Sequence, residues 1–95
     1  MITHEKIVDV VSRAAVEFPL TRVAYFGSYA EGQPTQESDL DLLVEFSDRY
    51  VSILTIIGLK HRIEDELGIS VDVVHAPIPE GALVTINKEV QVYER

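Results

Sequence analysis

Between residues 3 and 18 the apolar positions Ile7, Val10, Val11, Ala14, Ala15 and Phe18 recur at helical spacing. This predicts an amphipathic helix with Thr3 as its N-cap and Pro19 as its stop. The pattern then changes. The run Val23-Ala24-Tyr25-Phe26 reads as a strand over 21–27, the segment 28–32 as one short helical turn ended by Gly32, and the polar stretch Gln33 to Ser38, with Pro34, as a loop. In the next strand, 39–47, Leu40, Leu42 and Val44 alternate with Asp39, Asp41 and Leu43, so both aspartates project from one face.

A second helix is predicted over 48–67, with Gly68 as its C-cap. Ile53, Ile56, Ile57, Leu59, Ile63 and Leu67 share a broad face of it. Val51 and Leu54 fall outside that face, either packing under loops or forming a partner surface. Alternation resumes over 69–74, where Asp72 lies opposite Val71 and Val73. Pro77 and Pro79 break the pattern, and a short helix over 80–88 and a short edge strand at 91–93 complete the chain. Strands with intervening helices imply an α+β or α/β layer, with helices against one sheet face.

Ninety-five residues with 46% hydrophobic content suit one small domain, 1–95, with one core and room for one compact site. The 16 acidic residues against 8 basic ones leave a net charge of −8. That balance carries no basic footprint for nucleic acid or an anionic membrane, so a phosphate ligand is expected to bring its own metal. Absence of cysteine excludes disulfides, thiolate metal sites and a cysteine nucleophile, and is in keeping with a reducing cytoplasm. The polar N-terminus lacks the apolar region of a signal peptide, and no apolar run reaches membrane-spanning length; a soluble, cytoplasmic protein is expected. Self-association is left open.

The candidate chemistry centres on Val23 to Val44. An apolar strand ending in Gly27-Ser28 lets a backbone approach a ligand closely. Ser28 offers a hydroxyl and, where a helix begins, free N–H groups suited to phosphate. Asp39 and Asp41, about 6–7 Å apart along one strand face, repel unless a cation lies between them. Mg2+ is such a cation, taking one or two carboxylates together with substrate phosphate oxygens. Taken singly, an Asp-x-Asp, a Gly-Ser turn or a lone Asp72 is commonplace. In combination they supply what metal-dependent nucleotidyl transfer needs: Asp39 and Asp41 to hold metal, Asp72 to complete a metal site and position or deprotonate the attacking hydroxyl, and Gly27 and Ser28 to hold the phosphates. His4, His61 and His75 lie at no recognised zinc spacing. Arg22, Arg49, Lys60 and Arg62 are within conceivable reach of a nucleotide, though such charges are usually solvated.

Gly27-Ser28-Tyr29-Ala30-Glu31-Gly32 followed by Ser38-Asp39-Leu40-Asp41-Leu42-Leu43-Val44, with ten residues between Ser28 and Asp39, resembles the signature of the DNA polymerase β-like nucleotidyltransferases. The short chain and Val71-Asp72-Val73-Val74 are similar to the minimal nucleotidyltransferases, the MntA-type antitoxins. That resemblance implies a mixed sheet of polymerase β palm-like form, ATP with Mg2+, and transfer of AMP to a tyrosine of a companion HEPN-domain toxin. Family members often carry Arg or Lys where this chain has Glu31, a change that is neutral if position 31 faces solvent and weakens nucleotide affinity otherwise. Two other functions use the same residues or the same fold: a binding antitoxin that acts by occlusion without catalysis, and transfer to a small molecule.

Overall fold

The computed structural model describes residues 2–35, 38–48, 50–76 and 88–95. Its elements are α1 (His4–Ala14), β1 (Leu20–Phe26), a 3-10 turn at Gly27–Tyr29, β2 (Leu40–Phe46), α2 (Ile53–Leu67), β3 (Val71–His75) and β4 (Glu89–Glu94). The strands form one sheet in the order β3-β2-β1-β4. β1 is antiparallel to both β2 and β4, whereas β2 and β3 are parallel. A mixed sheet follows from the connections: β2 reaches β3 through α2, and parallel neighbours need a crossover of that length. The sheet is therefore the mixed one expected, with β4 on an edge as predicted.

Both helices start on a side-chain cap. Thr3 Oγ1 accepts from the Lys6 N–H at 3.1 Å, and Ser52 Oγ accepts from the Thr55 N–H at 3.2 Å, each satisfying a donor that the first helical turn leaves open. The Ser52 cap explains why α2 begins at Ile53 rather than at residue 48. α1 ends at Ala14, short of residue 18: Val16 N–H and Glu17 N–H bond three residues back, to Arg13 and Ala14, and Pro19 disfavours helical backbone at Phe18. Gly68 closes α2 as predicted, at φ +72, with its N–H on the Glu64 carbonyl at 2.7 Å.

One layer of side chains joins these elements. Ile7, Val10, Val11 and Ala14 of α1 and Leu59 and Ile63 of α2 meet Val23, Tyr25, Leu40, Leu42, Val44 and Val71 of the sheet in a buried cluster. Val51 packs against this cluster, while Leu54 is 77% exposed. Ile53 and Ile57, which periodicity assigns to the core face, are 67% and 41% exposed. No helix among the described residues is long and apolar enough to cross a membrane. The predicted helix over 80–88 lies almost wholly outside the described residues.

Leu40 is fully buried, and its inward side chain obliges Asp39 and Asp41 to face away from the helices. Leu40→Ala is expected to cost about 2–5 kcal/mol. Urea denaturation should show this as a lower midpoint with an unchanged slope; an unmoved midpoint would contradict the packing.

Candidate active site

Strand register builds the site. Asp41 pairs with Phe26 on β1 and with Asp72 on β3, so two carboxylates stand side by side on adjacent strands, which lie about 4.8 Å apart. Asp39 immediately precedes β2 and is exposed. The β3 end of this arrangement is tied to α2: Glu64 Oε2 accepts from the Val71 N–H at 2.9 Å, and the Leu40 N–H donates to the Ser70 carbonyl at 3.0 Å. Both bonds fix the backbone one residue from an aspartate.

Gly27 supplies the third side of the site. It has φ +72, and a Cβ built there would lie 2.3 Å from Asp41 Oδ2. The Asp41 carboxylate thus occupies the space that a side chain at position 27 would fill, and glycine is required by both backbone and contact. Ser28 lies in the 3-10 turn Gly27–Tyr29, where one short helical turn was expected. Its carbonyl accepts from the Gln33 N–H at 2.9 Å, and the Gly27 carbonyl accepts from the Glu31 N–H at 3.0 Å, so the bend is closed by its own backbone. Glu31 is exposed, as the neutral reading of that position requires.

Electrostatics single out Asp41. Its carboxyl is raised above the ordinary aspartate value, first by burial and then by the negative charges of Asp72 and Asp39. No hydrogen bond or ion pair within the described residues compensates any of the three. No three acidic or histidine side chains among the described residues form a group compact enough to enclose a metal ion by themselves. The donor set nevertheless fits Mg2+, which is hard, prefers oxygen, and takes only one or two carboxylates when substrate phosphates complete its shell.

A cleft of about 450 Å3 opens beside these residues. Asp41, Asp72 and Phe26 form one side; Val73 and Val74 of β3 and Ile56, Ile57 and Lys60 of α2 form the rest. Of the candidate site residues read from the sequence, Asp41, Asp72 and Lys60 line it together. Asp39 and Gly27 reach it through Asp41, whereas Ser28 is not part of its lining. The apolar part of the α2 side was missed by sequence reasoning, because helical periodicity marks Ile56 and Ile57 as core and cannot distinguish a core wall from a cleft wall. The histidines are elsewhere: His4 Nδ1 lies 3.0 Å from the Tyr25 hydroxyl, and His75 packs edge-on against Phe46. Arg22 is engaged by Glu45, Glu89 and Gln91, and Arg62 by Glu17 and Glu66.

A mixed sheet whose central strand carries an Asp-x-Asp beside a Gly-Ser bend defines a class, and comparison with known proteins agrees. The nucleotidyltransferase domain model matches residues 5–94, and this chain belongs to that family of enzymes. Within it, the chain is 33% identical over 95 residues to the protein adenylyltransferase MntA of Thermococcus cleftensis, covering 95% of each chain. A chain of a toxin–antitoxin crystal structure with AMP-PNP superposes with a TM-score of 0.76 at 21% identity, over 99% of this chain and 75% of that one. The complex of a tri-AMPylated Shewanella oneidensis HEPN toxin with its MNT antitoxin gives 0.70 at 16% identity, over 98% and 74%. At those identities the two structures share the fold.

Two outcomes follow from the Gly27–Asp41 contact. Because the Asp41 carboxyl is raised in the folded state, its ionisation opposes folding: the penalty is absent below the ordinary aspartate value of 3.8 and complete above the raised one. Asp41→Asn should therefore melt higher than the native chain at neutral pH in EDTA, with the gap closing on acidification through that window. A gap independent of pH would contradict the assignment. Gly27→Ala should lose about 1–2 kcal/mol in chemical denaturation from the left-handed backbone alone, and Asp41→Gly in the same background should recover only the part due to the clash.

Proposed function

We propose that this chain is a Mg2+-dependent adenylyltransferase that moves AMP from ATP to a hydroxyl of a partner protein, a tyrosine of a HEPN-domain toxin, and so acts as an antitoxin. The observation that carries this reading is the placement of Asp41 between Gly27 and Asp72, with Asp39 close enough to raise it further. A carboxylate raised by burial and by two neighbouring like charges, as Asp41 is, opposes folding unless a ligand uses it. The adenylyltransferase relative and the AMP-PNP and HEPN-toxin complexes of the structural neighbours support the choice of nucleotide and partner.

In this proposal Asp39 and Asp41 hold metal, with Asp72 completing the set. Mg2+ when bound supplies neutralisation of the triphosphate and stabilisation of the departing pyrophosphate. The Gly27-Ser28 bend holds the β- and γ-phosphates. Asp72 orients the acceptor hydroxyl and takes its proton as the acceptor oxygen bonds to the α-phosphorus and the bond to pyrophosphate breaks. A protein acceptor is favoured by apolar surface beside the cleft: Ile53 and Leu54 are 67% and 77% exposed and lie one helical turn before Ile57 of the cleft wall.

One observation favours a second reading, a binding antitoxin that neutralises by occlusion: the three side chains form no closed metal cage. Incubation with ATP labelled at the α-phosphate, Mg2+ and the partner separates the two. The native chain should label the partner, and Asp39→Asn combined with Asp41→Asn should reduce labelling to background while leaving the circular dichroism spectrum intact. If the double variant still labels, the catalytic proposal fails; if neither labels and both silence the toxin, occlusion is the mechanism.

A further inference from the structure

We infer that Lys60 is a nucleotide-binding residue of this site, contributing the positive charge toward the triphosphate that position 31 does not provide. The inference rests on the nucleotidyl-transfer reading above and adds a residue to it. Among the described residues, Arg22, Lys60 and Arg62 are the half-buried cations. Both arginines are ion-paired, Arg22 with Glu45 and Glu89 and Arg62 with Glu17 and Glu66. Lys60 pairs with no carboxylate among the described residues, although it lines the same cleft as Asp41 and Asp72.

That combination is informative. Lys60 is intermediate in exposure, and a chain with 16 acidic residues offers ample carboxylate with which a lysine could pair. Along α2, Lys60 lies four residues after Ile56 and three after Ile57, so the three side chains form one stripe along the cleft wall. A lysine in such a stripe can lay its stem on apolar surface and keep its ammonium in water. A triphosphate approaching Asp39, Asp41 and Asp72 meets like charge, and metal alone must offset both the carboxylates and the phosphates. Lys60 is the cation of the described cleft lining that adds to that compensation. Glu31, on the exposed side of the Gly-Ser bend, adds none.

The test is nucleotide binding followed by calorimetry and thermal shift, on the native chain, Lys60→Met and Lys60→Arg, with MgATP, MgADP and adenosine. Lys60→Met keeps the apolar stem and so separates charge from packing. A charge-assisted contact predicts that MgATP binding weakens by about ten- to a hundredfold in Lys60→Met. The loss should be smaller for MgADP and absent for adenosine, and Lys60→Arg should recover most of the affinity. Lys60→Met binding MgATP as tightly as the native chain overturns the inference, whether the acceptor's KM is altered, which would place the ammonium on the acceptor, or is not, which would leave it merely solvated. An equal loss for adenosine also overturns it, because the effect would then be one of packing. A native chain that binds no MgATP at all refutes the nucleotidyl-transfer reading itself and this inference with it.

Discussion

A partly buried carboxylate beside two like charges, Asp41, is the constraint around which this fold is arranged. Asp41 is partly buried, faces Asp72 across a parallel strand pair, and rests its carboxylate where a side chain at position 27 would otherwise stand. None of this favours folding on its own. The stability that tolerates it comes from the opposite face, where Leu40, Leu42 and Val44 of the same strand are completely buried against both helices. A strand with period 2 delivers both functions at once: alternate residues supply core and chemistry, and neither set can shift without the other.

The surrounding contacts act mainly to keep that register. Glu64 reaches from α2 to the Val71 N–H, and the Leu40 N–H joins the Ser70 carbonyl, so the parallel pair is fastened at its start, next to Asp41 and Asp72. α2 then serves two surfaces. Leu59 and Ile63 close the core, while Ile56, Ile57 and Lys60 turn toward the cleft. Ile53 and Leu54, one turn before Ile57 on the same helix, are exposed.

Much of this was legible before any coordinates. Alternation through Asp39-Leu40-Asp41-Leu42 placed both aspartates on one face, and the Gly-Ser bend ten residues earlier marked where glycine is obligatory. The Gly68 cap and the edge position of the last strand were also readable, because each has a local cause. What could not be read was pairing. Nothing in the sequence states that Asp41 lies opposite Asp72 rather than one residue away, since register is a property of two strands and the helix between them. The start of α2 was misjudged because Val51 continues the apolar pattern while Ser52, three residues before the Thr55 N–H it caps, stops it. The short helical turn expected after Phe26 is present as the 3-10 turn at Gly27–Tyr29. Lys60 looked like an ordinary solvated charge, but among the described residues Arg22 and Arg62 are ion-paired and Lys60 is not.

The account stands or falls on whether the carboxylates around Asp41 serve a cation that arrives with nucleotide. Carboxyl-carbon NMR titration of the aspartates, with and without Mg2+ and a non-hydrolysable ATP analogue, measures this directly. Asp41 should titrate above the ordinary aspartate range in the free chain and drop well below its free value when metal and nucleotide are present. An Asp41 resonance that titrates identically in both samples would contradict the claim that these residues form a metal-dependent site.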